Sequence, residues 1–136
     1  MELRKGLLLD SDIIIYVLRG KEPIVNFLES LRAQGYELAI SAVTAYEVYV
    51  GMRSGEEEKI RAFLDSLVCL PVTREVAEKA AEYRRTFQQQ GVTLQMPDLL
   101  IAATAFHYKL QLATYNRKDF PQQDISLWTD LPCLVD

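Results

Sequence analysis

Apolar positions along the chain alternate between short solid runs and helical spacing, and that alternation carries most of the structural information. Leu7, Leu8 and Leu9 form a run that stops at Asp10-Ser11-Asp12, the pattern of a buried parallel strand opening into a helix over 13–18 with Ser11 or Asp12 as its cap. Pro23 suits a first helical turn, and Ile24, Phe27, Leu28 and Leu31 follow at helical spacing until Gly35. Residues 36–40 predict a second strand. Ser41 then caps a helix over 42–52, in which Val43, Tyr46 and Val50 share one face and Glu47 falls beside them. Ile60, Phe63, Leu64 and Leu67 mark a helix opened by Ser54, with Glu56, Glu57 and Glu58 near its positive end. Residues 68–72 predict a third strand. Thr73 caps a long helix carrying Val76, Ala80, Tyr83 and Phe87 on one face and ended by Gly91. Pro97 starts a helix over 98–109 that is apolar almost all round and therefore buried. Residues 110–114 predict a fourth strand, and 126–128 a fifth at the edge.

Strands that alternate with helices at this spacing predict an α/β fold: a three-layer α/β/α arrangement with a central parallel sheet of four or five strands, as one domain over 1–136. In such sheets ligands sit outside the C-terminal strand ends. With 49% hydrophobic and 25% charged residues the chain has the composition of a globular domain, which excludes a disordered or disulfide-dense class. Lys and Arg number 15 against 19 Asp and Glu, a net charge of −4, which argues against coating nucleic acid through a broad basic surface. A nucleic-acid enzyme stays open, because a metal ion supplies positive charge locally. No apolar run reaches the roughly 18–20 residues of a membrane span, and the run at Leu7 stops at Asp10 where a signal peptide would continue, so a cytoplasmic protein away from membranes is expected. Cys69 and Cys133 lie far apart with no paired spacing, and buried apolar thiols are expected rather than a zinc or redox site.

Most of the acids fall on predicted solvent faces and serve solubility. Four do not. Asp10 ends the first apolar strand, where an unneutralised carboxylate is costly unless paired or metal-bound. Glu47 interrupts an apolar helix. Asp98 starts the most buried helix, where its plain structural role would be N-terminal capping. Asp119 follows the fourth strand by a short loop containing Asn116. All four fall near the C-terminal edge of the predicted sheet. Carboxylates that close repel one another at neutral pH, and hard divalent cations, Mg²⁺ or Mn²⁺, relieve the repulsion; with no His or Cys nearby, zinc is disfavoured.

The chain resembles the PIN-domain family of Mg²⁺-dependent ribonucleases and, within it, the VapC-type toxins of toxin-antitoxin pairs. The resemblance rests on four blocks: Leu8-Leu9-Asp10-Ser11; 41–51, with Glu47 at its centre; 97–105, opening Pro97-Asp98; and 112–120, which contains Thr114, Asn116 and Asp119. It implies that Asp10, Glu47, Asp98 and Asp119 are catalytic and metal-binding, with Ser11, Thr114 and Asn116 as supporting polar residues. It also implies an RNA substrate, a cognate antitoxin and a homodimer. One position departs from the family, which commonly has Asn two places after the first acid; here it is Asp12, which adds a ligand, alters metal choice or caps the helix.

Asp10-Ser11-Asp12 is similar also to the opening of haloacid-dehalogenase-type phosphotransferases, with Asp10 as nucleophile, but no late acidic pair completes that set. A response-regulator receiver needs an acid after a middle strand, where Ser41 follows Ile40. A PIN-like module kept only for binding is the non-enzymatic alternative. His107, the one histidine, lacks partners for nucleophilic catalysis. Arg4, Lys5, Arg19, Arg53, Arg117 and Lys118 flank the acidic edge as candidate phosphate contacts. Trp128 and the tyrosines read mainly as core, and Tyr16, Tyr46, Val50 and Met52 as either core or partner contacts.

Overall fold

A computed structural model describes residue 3 and residues 5–134. Strands β1 (Gly6–Leu9), β2 (Glu37–Ser41), β3 (Val68–Leu70) and β4 (Gln111–Ala113) form one parallel sheet in the order β3-β2-β1-β4. Helices α1 (Ser11–Leu18), α2 (Glu22–Ala33), α3 (Ala42–Val50), α4 (Glu57–Asp65), α5 (Arg74–Gln89) and α6 (Met96–Tyr108) cover its two faces. A single 3-10 turn, Arg117–Asp119, follows β4.

Side-chain alternation along the strands divides the core into two halves. Leu7, Leu9, Leu38 and Ile40 point to the side of α1, α2 and α4, while Leu8, Ala39 and Leu112 point to the side of α5 and α6. The three leucines of β1 are fully buried, as expected of the central strand of a doubly covered sheet. At its start, a Cβ on Gly6 would lie 2.5 Å from Leu110 Cδ2 and 2.9 Å from Leu3 Cβ, so the close entry of the strand needs glycine.

The three-layer fold agrees with the sequence expectation, and several details differ. The expected fifth strand over 126–128 is one bridge, Leu112 with Leu127, because only Leu112 finds backbone partners there. The third strand ends at Leu70, before Pro71, which has no N–H to extend a ladder. Neither Ser11 nor Asp12 caps α1; Asp10 does, accepting from Ser11 N–H. The N-cap of α6 is Gln95, which makes no side-chain capping bond, so Asp98 sits within the first turn and does not cap it. Cys69 and Cys133 are exposed, not buried: the first lies on the edge strand β3 and the second in the segment after β4. Tyr46, Val50 and Met52 are exposed and so are not core, while Val43 on the same expected face of α3 packs against the core. Among the described residues no helix is long and apolar enough to cross a membrane.

Candidate active site

Register builds the site. Leu9 pairs with Ala113, so Asp10 and Thr114, the next residue on each parallel strand, stand side by side where both strands end. Thr114 Oγ1 donates to Asp10 Oδ2 at 2.7 Å and accepts from Asn116 N–H at 3.0 Å. Ser11 N–H donates to Asp10 Oδ1 at 2.7 Å. Asp10 is only 3% exposed, so these bonds fix the carboxylate in one orientation at the sheet edge.

Asp12 joins the two loops that follow β1 and β4. Its Oδ1 accepts from Ile13 N–H at 2.8 Å, while Oδ2 accepts from Tyr115 N–H at 2.8 Å and Asn116 Nδ2 at 3.4 Å. Both oxygens are engaged, and the side chain acts as a clamp between the start of α1 and the turn that carries Asp119.

Glu47 enters from α3, Asp98 from the first turn of α6 and Asp119 from the 3-10 turn after β4. These elements bring Asp98 within electrostatic reach of Asp10, Glu47 and Asp119, and Asp10 within reach of Glu47 and Asp119. Burial raises the Asp10 pKa above the ordinary carboxylate value, the bonds from Thr114 and Ser11 oppose the rise, and the charge of Asp119 adds to it. Burial and then Asp10 raise Glu47, with the Ser11 hydroxyl opposing. Burial, Asp10, Asp119 and Glu47 together push Asp98 up to about 7. Burial and Asp10 push Asp12 up to about 6 against the pull of its backbone donors.

Ion pairs among the described residues use other acids: Glu56, Glu57, Glu78, Glu82 and Asp124. Glu47 Oε1 is buried and has no hydrogen-bond partner. The edge is thus an acceptor-rich cluster with a surplus of negative charge and one orphaned carboxylate oxygen, a donor set suited to a hard divalent cation. Among the described residues no three such side chains stand close enough together to form a ready-made cage, so a cation would have to draw the carboxylates inward.

The sequence profile described as PIN domain matches residues 7–125. The chain belongs to the PIN-domain family. Ribonuclease VapC10 of Mycobacterium tuberculosis is 38% identical over 115 residues, 85% of this chain and 86% of that relative. Ribonuclease VapC19 of the same species is 31% identical over 114 residues, 84% and 91% of the two chains. Among solved structures, a chain of VapBC2 from Rickettsia felis, crystallised on a DNA fragment of its promoter, superposes with a TM-score of 0.82 at 26% identity, covering 90% of this chain and 97% of that one. A toxin-antitoxin complex from Klebsiella pneumoniae gives 0.71 at 29% identity, covering 88% and 94%.

The basic residues expected to flank the edge of this PIN domain have divided duties. Arg19 is paired with Glu56 at 2.7 Å, and Lys5 donates to Gln34 O and lies over the Tyr36 ring. Arg117 reaches Trp128 O at 3.4 Å. Arg53 and Lys118 are exposed, and Arg4 lies outside the described residues. Tyr115, which carries the backbone donor to Asp12, was not legible as a site residue; its signal lies in strand register, since it follows Thr114 past the β1–β4 pair.

Proposed function

We propose that this chain is an endoribonuclease, the toxin of a toxin-antitoxin pair, that hydrolyses RNA phosphodiester bonds at the edge formed by Asp10, Glu47, Asp98 and Asp119. The observation that carries the reading is a group of four carboxylates, with Asp98 repelled by the other three and three of the four carrying raised pKa values, at the C-terminal strand ends of a PIN domain whose relatives are named ribonucleases. Those four residues would hold Mg²⁺ or Mn²⁺, which when bound lowers the pKa of water and stabilises charge developing on a phosphate. Thr114 and Ser11 keep the Asp10 oxygens oriented, and Asp12 with Asn116 holds the turn bearing Asp119.

The phosphotransferase alternative requires an accessible nucleophilic oxygen on Asp10, whereas that side chain is buried with both oxygens accepting hydrogen bonds. A binding-only module remains the contrary outcome of the test. Sequencing RNA ends after induced expression is expected to show new internal 5′ ends that vanish in Asp10→Asn. Their absence from cells making the intact chain would favour binding alone.

The partners follow the same reading: an RNA substrate, a second copy of the chain and an antitoxin protein. Ile15 on α1, with Tyr46, Tyr49 and Val50 on α3 and Met52 beyond it, presents exposed apolar side chains; Tyr46 is 65% and Val50 68% exposed. That is a surface suited to an apolar segment of the antitoxin. Val50→Glu is expected to weaken the antitoxin complex about thirtyfold or more, the weight of a central interface contact, as read by calorimetry with the partner encoded beside the gene.

A further inference from the structure

The segment that follows the 3-10 turn comes back along β4 and reaches Tyr115 in the loop just past it. Leu112 N–H donates to Ser126 O at 2.9 Å and Trp128 N–H to Leu112 O at 2.8 Å, which anchors this segment along β4. The Trp128 ring stands edge-on to Phe27 and Tyr36, and Leu131 and Leu134 pack on the core beneath α1 and α2. From this anchorage Pro132 O accepts from the Tyr115 hydroxyl at 2.5 Å.

Tyr115 is held at two further points. Its backbone N–H donates to Asp12 Oδ2, and its ring meets that of Tyr16 on α1 edge-on, 5.6 Å between centroids. Its neighbours in sequence are Thr114, bonded to Asp10, and Asn116, which donates to Asp12 and closes the turn through Asp119 N–H to Asn116 O at 3.0 Å. A loop residue tied at two points to α1 and at a third to the C-terminal segment has little freedom left, and neither have the residues on either side of it.

We propose that Tyr115 is a positioning residue, through whose hydroxyl the segment 128–134 fixes the connection from Thr114 to Asp119 against Asp10 and Asp12. The inference rests on reading the four carboxylates as a divalent-cation site. Groups that orient metal ligands typically change metal affinity by about 10- to 100-fold when removed, although they touch neither metal nor substrate. Tyr115→Phe deletes the one bond to Pro132 and keeps the ring.

The test compares the intact chain, Tyr115→Phe, a chain ending at Asp130, and the two changes combined. Each is measured for Mn²⁺ affinity by electron paramagnetic resonance, for kcat and KM on an RNA oligonucleotide, and for melting in chelator. Tyr115→Phe is expected to weaken Mn²⁺ binding about tenfold and to lower kcat with KM little changed. Shortening the chain should act through the same bond, so the combined variant should be no worse than the shortened one. Mn²⁺ affinity and kcat at the intact level in Tyr115→Phe would overturn the inference, whatever the melting temperature, and so would losses that multiply. If the shortened chain does not fold, Tyr115→Phe alone decides. An intact chain that binds no Mn²⁺ would defeat the cation-site reading itself, and this inference with it.

Discussion

Asp98→Asn is expected to lower RNA cleavage by about a thousandfold while leaving the metal-free chain at least as stable as the parent at pH 8. The loss of activity follows from removing one of the four carboxylates that would hold the cation. The stability result follows from the surroundings of the carboxylate: burial and the charges of Asp10, Asp119 and Glu47 all disfavour its ionised form. Asparagine keeps the shape without the charge. No capping bond is lost, because Asp98 makes none, and the remaining cost is its favourable place near the positive end of α6, about 0.3–1 kcal/mol. Lowering the pH to 5 protonates Asp98 in the parent, and the difference in melting temperature should then close or reverse. A variant that melts well below the parent in chelator at both pH values would make Asp98 a structural residue.

Mg²⁺ or Mn²⁺ is expected to raise the melting temperature by about 10 °C at pH 8 when present at a hundredfold over its dissociation constant, since binding only the folded form contributes about 2.7 kcal/mol there. In chelator the pH dependence should have the opposite sense. Asp98 in the folded chain sits at about 7 and Asp12 at about 6, both above the ordinary value of 3.8 that the unfolded chain restores. Between pH 4 and 7 the folded form therefore holds protons that the unfolded form has lost. Stability from these groups is complete below about pH 4 and is lost as pH rises through 6 and 7. A saturating cation competes with those protons and should flatten the decline or turn it into a gain. Melting curves at pH 5, 6, 7 and 8, with chelator and with Mn²⁺, check both signs.

The fold could be read from the sequence because its elements are set by local signals that agree with one another. Three successive leucines in β1 demand cover on both faces, Ser41 and Thr73 cap helices as expected, and the apolar length of α6 matches its burial. Boundaries were less legible where tertiary contacts overrule local preference. Asp10 takes the capping role from Ser11 and Asp12 with its other oxygen held by Thr114, just past the end of β4. The lack of any paired spacing reads Cys69 as a buried apolar thiol, but β3 is an edge strand and the side chain is exposed. Within the candidate site, Asp10, Glu47 and Asp98 are legible as charges beside or within apolar segments, and Asp119 by its place just after the fourth strand. Asp12 was visible only as an oddity, with three roles open, because its function as a clamp depends on which backbone N–H groups the β1–β4 pairing brings to it. Tyr115 was hidden for the same reason.

The most direct test of the account is cleavage of an end-labelled single-stranded RNA by the purified chain after exhaustive chelation, with Mg²⁺ or Mn²⁺ then added back, alongside Asp10→Asn. The account predicts no cleavage in chelator, recovery on adding either cation, and none by Asp10→Asn under any condition. Cleavage that persists in chelator, or that Asp10→Asn performs at the rate of the parent, would contradict it.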